Sequence, residues 1–323
     1  MRLVTIDDVP GGSPGALLAT GEIAHLGRAA LAGTIEAWLP GSVAGVLRAG
    51  AQGIAAAAGI AARCEALEAP ARDRLRGAGT LLPSTVRLLP PVPRPQLIVA
   101  AGLAYRSHLA EMAGTPAPAN PTAFMKSPGS LSAPGATLAL PRQASEQVDY
   151  EGDLALVFGR RCHLVDEADA MDHVAGYTVA NDLSARDWVR AVWAAQAPWE
   201  ARQTWEVNIM GKQLPGFTAL GPALVTADEV GAPETMRLTT TINGRVMQDS
   251  PIGDMIFPLA RVVSYFSRWY SFEPGDVLLT GTPAGVGVGR KPPVFVRPGD
   301  TVEVEIDRLG KLVTRFAEPE AQA

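Results

Sequence analysis

The sequence predicts a β-rich α+β fold, with a small N-terminal α+β domain over residues 1–90 and a larger domain over 91–323. Three observations predict it. From Gln96 onward, short apolar runs alternate with Gly and Pro turns, a pattern of strands rather than of βαβ repeats. Strongly amphipathic helices are few, with Ile256 to Trp269 the clearest. Leu81 to Pro95 holds five prolines and reads as a stiff, extended linker between two regions of different texture.

In chain order, Leu3 to Ile6 reads as a strand and Pro10 to Pro14 as a turn. Ala16 to Ala19 with Glu22 to Leu26 reads as a short hairpin. Two Ala-rich helices follow, near Thr34 to Ala49 and Ala51 to Ala69, because alanine is the best helix former. Beyond the linker, strands are predicted at Gln96 to Ala100, Asp153 to Phe158, Ala175 to Ala180, Ala223 to Thr226, Arg237 to Ile242, Asp276 to Thr280 and Thr301 to Ile306. Asn243-Gly244 between two strand-like runs is a strong two-residue hairpin signal.

Composition narrows the function classes. Of 323 residues, 47% are hydrophobic and 19% charged, an ordinary globular balance. The net charge of -5 argues against nucleic acid or an anionic membrane as a main partner. Two cysteines, Cys64 and Cys162, form no disulfide framework and suit a reducing compartment. Met1 to Asp8 lacks the apolar centre of a signal peptide, and every apolar run is interrupted before it could span a bilayer. A soluble cytoplasmic protein is the expectation.

The most informative stretch is Asp149-Tyr150-Glu151-Gly152-Asp153, which leads into the apolar run Leu154 to Phe158. Glu151 and Asp153 are two apart, so on a strand both face the same way. Like charges at the mouth of a buried strand repel, and desolvation adds to the cost. A cation removes that conflict. Asp182 ends another apolar run, Tyr177 to Asn181. Three carboxylates without a nearby Cys or His ligand point to a hard divalent ion, Mg²⁺ first, then Mn²⁺ or Ca²⁺. The plainer reading makes these acids partners of Arg160, Arg161 or Arg186.

His108 and Glu111 lie three apart, so one helical turn brings them together. A carboxylate beside an imidazole fixes its tautomer and suits it to take a proton from water. His25, His163 and His173 lack such a partner and are expected at the surface. The loop Thr280-Gly281-Thr282-Pro283-Ala284-Gly285-Val286-Gly287 follows a strand, yet Pro292 and Pro293 forbid the helix that a nucleotide fold would need. Its backbone N–H groups and the Thr282 hydroxyl suit a small carboxylate or oxyanion. Lys126, Arg186 and Lys212 are candidates to hold a substrate carboxylate or developing charge.

Together these segments resemble the fumarylacetoacetate hydrolase family, from about Pro93 to Phe316. The resemblance rests on Gly102-Leu103-Ala104-Tyr105 through His108 and Glu111, on Asp149 to Leu154, and on Gly176 to Asp187. Asp254-Met255-Ile256-Phe257, Glu273-Pro274-Gly275-Asp276, Gly281 to Gly287 and Pro298-Gly299-Asp300 complete it. It implies a mixed β-roll, a homodimer and a divalent ion held by Glu151, Asp153 and Asp182. It also implies a water-activating pair, His108 and Glu111, with Lys212 beside them in catalysis. Tyr105, Lys126, Arg186 and Thr282 fall among the implied substrate contacts. Two departures are visible: Asp153 stands where many members have Glu, and Val189 where many have Gln. A Trp-rich stretch with Trp188, Trp193, Trp199 and Trp205 separates Asp182 from Lys212.

The implied chemistry is hydrolysis of a carbon–carbon bond in an acylpyruvate-like or β-diketo acid. Decarboxylation, hydration or isomerisation of a 2-oxo acid is the alternative enzyme class. A metal-stabilised binding protein without turnover is the non-enzymatic alternative.

Overall fold

The computed structural model describes residues 1–31, 39–112, 115–144, 146–187 and 194–319. Its architecture is the β-rich α+β fold that the strand pattern predicts, built on a twelve-stranded and a five-stranded sheet. At the centre of the large sheet, Gly152–Phe158 lies antiparallel between Val174–Asp182 and Val277–Leu279. Thr218–Thr226 borders the second of these, and Ile98–Gly102 the third.

The apolar run of Gly152–Phe158 is continuous because both faces of that strand are covered. Leu154, Leu156 and Phe158 point into the core shared with the second sheet, where Leu238, Val302 and Val304 meet them. Ala155 and Val157 point the other way, toward Val46, Leu47 and Ile60 of the N-terminal helices. Each such aliphatic side chain contributes roughly 1.5–3 kcal/mol when fully buried. The five-stranded sheet includes the hairpin Arg237–Ile242 and Arg245–Pro251, joined through Asn243-Gly244 as its turn signal predicts.

The proline-rich segment is not a free linker. Leu81–Leu82 pairs with Ile23–His25, Leu88–Leu89 pairs with Arg2–Ile6, and Thr5 Oγ1 donates to Pro91 O at 2.7 Å. Proline removes backbone donors, so only two-residue ladders form, yet they suffice to fasten the chain down. The large sheet also crosses residue 90 without a break, since Leu3 lies opposite Leu224 on Thr218–Thr226.

The predicted second helix forms as Gly50–Glu65, and Pro70 then opens a separate helix, Ala69–Gly77. Of the first predicted helix, Val43–Arg48 is present and residues 34–38 lie outside the described set. His25 corrects a surface expectation. It is buried, and its Nε2 lies 3.0 Å from Asp8 Oδ2.

Candidate active site

Strand register assembles the acids. Asp153 lies opposite Ala180 in the ladder whose other strand ends at Asp182, and Asp182 N–H donates to Glu151 O at 2.8 Å. Glu151 and Asp153 therefore share one buried end of the sheet with Asp182, about thirty residues further along the chain. Asp149 joins them from a two-residue strand, Val148–Asp149, paired with Ser184–Ala185. Asp149 is a site residue that the sequence reading passed over. Its signal was the alternation Asp149, Glu151, Asp153, which extends the acidic face by one more step.

Three buried cations meet these acids. Lys212 Nζ donates to Glu151 Oε2 at 2.7 Å and to Asp182 Oδ2 at 2.8 Å. Lys126 Nζ donates to Asp182 Oδ1 and, at 3.1 Å, to Phe217 O. Arg186 donates from Nη2 to Glu151 Oε1 and from Nε to Asp149 Oδ2 at 3.1 Å. The plainer reading of Arg186 as a partner of the acids thus describes its contacts, and Lys126 is enclosed in the same network.

The charge balance leaves one acid over. Burial alone would push Glu151 up, but Lys212 and Arg186 outweigh it and bring its carboxyl down to about 2. Asp153 goes the opposite way: burial, then the charges of Asp182 and Glu151, hold it well above the usual carboxylate range. Its Oδ2 accepts from Gly281 N–H at 2.9 Å, while its Oδ1 is buried with no partner among the described residues. Tyr105 Oη and Thr280 Oγ1 are buried within reach of each other, and the Asp153 charge adds to the burial that raises the Tyr105 phenol.

The dyad forms as its spacing predicts. His108 and Glu111 share the helix Arg106–Glu111, with Nδ1 and Oε1 3.2 Å apart. Glu111 is held from outside the helix by Gly285 N–H, which donates to Oε2 at 2.6 Å. Gly285 has φ +102°, and a Cβ there would sit 2.2 Å from Met247 O, so only glycine allows this contact. His108 also lies near enough to Glu151 to influence its charge.

The glycine-rich loop does bind carboxylates, but they belong to the protein. Gly281 serves Asp153, Gly285 serves Glu111, and Gly287 and Val288 donate to Asp149 at 2.6 and 3.1 Å. The Thr282 hydroxyl is committed too, donating to Gly152 O at 2.9 Å and accepting from Gln248 Nε2 at 2.7 Å. Gln248, which no sequence motif marks, thus ties the second sheet to the site. Trp199 is exposed, whereas Trp188, Val189, Trp193 and the Trp205 side chain lie outside the described set.

Among the described residues, no three His, Cys, Asp or Glu side chains close around one point tightly enough to coordinate an ion as they stand. Lys212 Nζ lies between Glu151 and Asp182 and donates to both. The donor chemistry nevertheless fits a hard divalent ion. All three groups offer oxygen, and among the described residues Asp153 Oδ1 has no hydrogen-bond partner.

Residues 97–317 match the family described as fumarylacetoacetate (FAA) hydrolase, C-terminal. The chain is 40% identical over 252 residues to the human protein named oxaloacetate tautomerase FAHD2A, mitochondrial, covering 78% of this chain and 76% of that one. It superposes on fumarylacetoacetate hydrolase from psychrophilic Exiguobacterium antarcticum with a TM-score of 0.73 at 27% identity, covering 98% and 99% of the two chains. It superposes on maleylpyruvate hydrolase from Sphingobium sp. SYK-6, solved with manganese(II) and pyruvate, with a TM-score of 0.69 at 26% identity, covering 99% and 100%.

Proposed function

The chain belongs to the fumarylacetoacetate hydrolase family, and we propose that it is a divalent-metal-dependent hydrolase that breaks a carbon–carbon bond in an acylpyruvate-like 2-oxo acid. The observation that carries this reading is the His108–Glu111 pair, clamped by Gly285 beside the buried acids. Glu151, Asp153 and Asp182 would hold the ion, with Lys212 moving off the oxygens it now bridges. The bound ion supplies Lewis-acid chemistry to the substrate's carboxylate and keto oxygens. Magnesium, manganese or calcium suits that donor set, and the manganese and pyruvate in the maleylpyruvate hydrolase structure support the choice of ion and substrate class.

The side chains divide the remaining work. Glu111 accepts from His108 Nδ1–H, which leaves the Nε2 lone pair free to act as base. Nε2 takes a proton from water, and the hydroxide forms a carbon–oxygen bond at the distal carbonyl. The bond to the pyruvyl methylene then breaks, its electron pair stays on that carbon, and the proton returns there from Nε2. A carboxylic acid and pyruvate result. Lys212 supplies positive charge near the oxygens that gain electron density. Arg186 positions Glu151 and Asp149, and Tyr105 and Lys126 act from beneath the site on Asp153 and Asp182.

His108→Ala and Glu111→Gln test the assignment. Pyruvate release from acylpyruvates should fall by about 10²- to 10⁴-fold, the usual range for a lost general base, with the circular dichroism spectrum unchanged. Undiminished turnover in His108→Ala removes the mechanism.

A second reading is keto–enol interconversion of oxaloacetate, favoured by the 40% identity to the human protein of that name. There the dyad would carry a proton between the methylene carbon and the enol oxygen without attack by water. Decay of the enol absorbance without pyruvate or CO₂ selects this reading, and CO₂ release selects decarboxylation. A homodimer belongs to the same proposal and is checked by light scattering.

A further inference from the structure

The loop that holds Glu111 is itself closed by a side chain outside the dyad, that of Arg290. Glu111 meets the loop at two points. Gly285 N–H donates to its Oε2 at 2.6 Å, and a Cβ on Gly289 would lie 2.4 Å from its Cδ. The carboxylate rests against residues 285–290, so the shape of that loop sets where the carboxylate stands.

Arg290 reaches back across the loop to its beginning. Its Nε donates to Gly285 O at 3.3 Å and to Tyr150 Oη at 3.2 Å, and its Nη2 donates to Met247 O. Tyr150 Oη passes the contact on, donating to the same Gly285 O at 2.9 Å. Gly285 is thus held by its carbonyl while its N–H is presented to Glu111. Met247 O is also the atom that a Cβ on Gly285 would strike, so Arg290 ties the loop to the strand Arg245–Pro251 where the two backbones touch. The oxygens it meets are neutral, two carbonyls and a phenol. A guanidinium suits such a bridge because its N–H groups point in fixed, divergent directions.

We propose that Arg290 is a positioning residue for the dyad: it clamps Gly285, directly and through Tyr150, so that the Gly285 N–H keeps the Glu111 carboxylate in line with His108 Nδ1. The inference rests on the role given to the dyad above, and it holds for hydrolysis and for keto–enol interconversion alike. Arg290 acts through the loop.

Kinetics on the magnesium-loaded full chain test this with R290M, R290K and Y150F, and with R290M also in the Glu111→Ala background. R290M should lower kcat by about 10- to 100-fold, the cost of a small misplacement of a catalytic group, with KM within about twofold of wild type. R290K should not restore kcat, since one ammonium does not reproduce the bridge between Gly285 O and Met247 O. Y150F keeps the buried ring, removes one donor to Gly285 O, and should show a smaller loss in kcat. In the Glu111→Ala background R290M should cost nothing further, because no carboxylate is left to position. An equal loss in both backgrounds overturns the proposal and makes Arg290 a purely structural residue. Recovery in R290K, or a loss confined to KM, overturns it as well, because charge or substrate binding is then what Arg290 supplies.

Amide hydrogen exchange separates the clamp from the function. R290M and Glu111→Ala should each speed exchange at Gly285 by about tenfold or more, with the helix Leu259–Ser267 unchanged. Unaltered exchange at Gly285 in R290M overturns the clamp whatever the kinetics show. If wild type turns over neither acylpyruvates nor oxaloacetate, the proposed function fails, and the exchange measurement still decides the clamp.

Discussion

Two ionic clusters in this molecule use the same side-chain chemistry under different conditions. At the surface, Glu22 joins Arg72 at 2.5 Å and Arg76 at 2.7 Å, tying the first hairpin to the helix Ala69–Gly77. In the interior, Asp149, Glu151, Asp153 and Asp182 face Lys126, Arg186 and Lys212. Arg76 and Arg72 draw Glu22 down to about 2, the same level that Glu151 reaches. The similar shift has a different worth. Water and salt screen the surface cluster, so its pairs add little, whereas the buried charges have no other solvent to turn to. Only the buried cluster produces acids displaced in the opposite direction, Asp149 and, further, Asp153. A surface cluster fastens; a buried one can leave an acid without a matching cation.

Lys126→Met should break the buried side of this comparison hardest. It leaves Asp182 with an uncompensated oxygen, and urea unfolding should show a loss of about 3–5 kcal/mol. A loss no larger than that of a surface pair would erase the distinction. Gly289→Ala acts on the dyad: a Cβ there would lie 2.4 Å from Glu111 Cδ. Displacing that carboxylate should lower kcat/KM by up to about 10²-fold, since small misplacements of catalytic groups are costly. Unchanged kinetics would detach Glu111 from the reaction.

Asp153→Asn sharpens the comparison through its sign. The neutral amide removes repulsion from Glu151 and Asp182, so the metal-free protein should gain about 1 kcal/mol or more. Magnesium should raise the Tm of wild type and leave that of the variant unchanged. A variant that is less stable and still metal-responsive would contradict both the charge count and the proposed ion site.

Glu22→Gln should have the smallest effect, about 1 kcal/mol, because the pair with Arg76 is still open to water. The pH dependence has a definite direction. Glu22 is depressed in the folded state, so its contribution is present above its ordinary 4.5 and is lost as pH falls toward about 2. Denaturation midpoints of wild type and variant should therefore converge in acid and separate near neutrality.

Much of the fold was legible in the chain. Arg237–Ile242 and Thr301–Ile306 form with the bounds that their apolar alternation predicts, and Asn243-Gly244 turns the hairpin. The dyad was legible for the same local reason, because three residues make one helical turn. The proline-rich segment misled, since its short ladders depend on sheet edges formed by residues 2–6 and 23–25. Thr282 misled as well. A loop hydroxyl is free in the sequence, but here Gly152 and Gln248 have already claimed it.

The sequence by itself determined the strands, the His108–Glu111 turn and the presence of three acids with strand-end placement. These follow from periodicity and from side chains a few residues apart. The tertiary structure decided which cation answers which acid, with Lys126 reaching Asp182 across 56 residues and Lys212 reaching Glu151 across 61. It also decided that Asp153 keeps an oxygen without a partner among the described residues. Pairing of this kind depends on strand register and on the exclusion of water, and both exist only once the sheets have closed on each other.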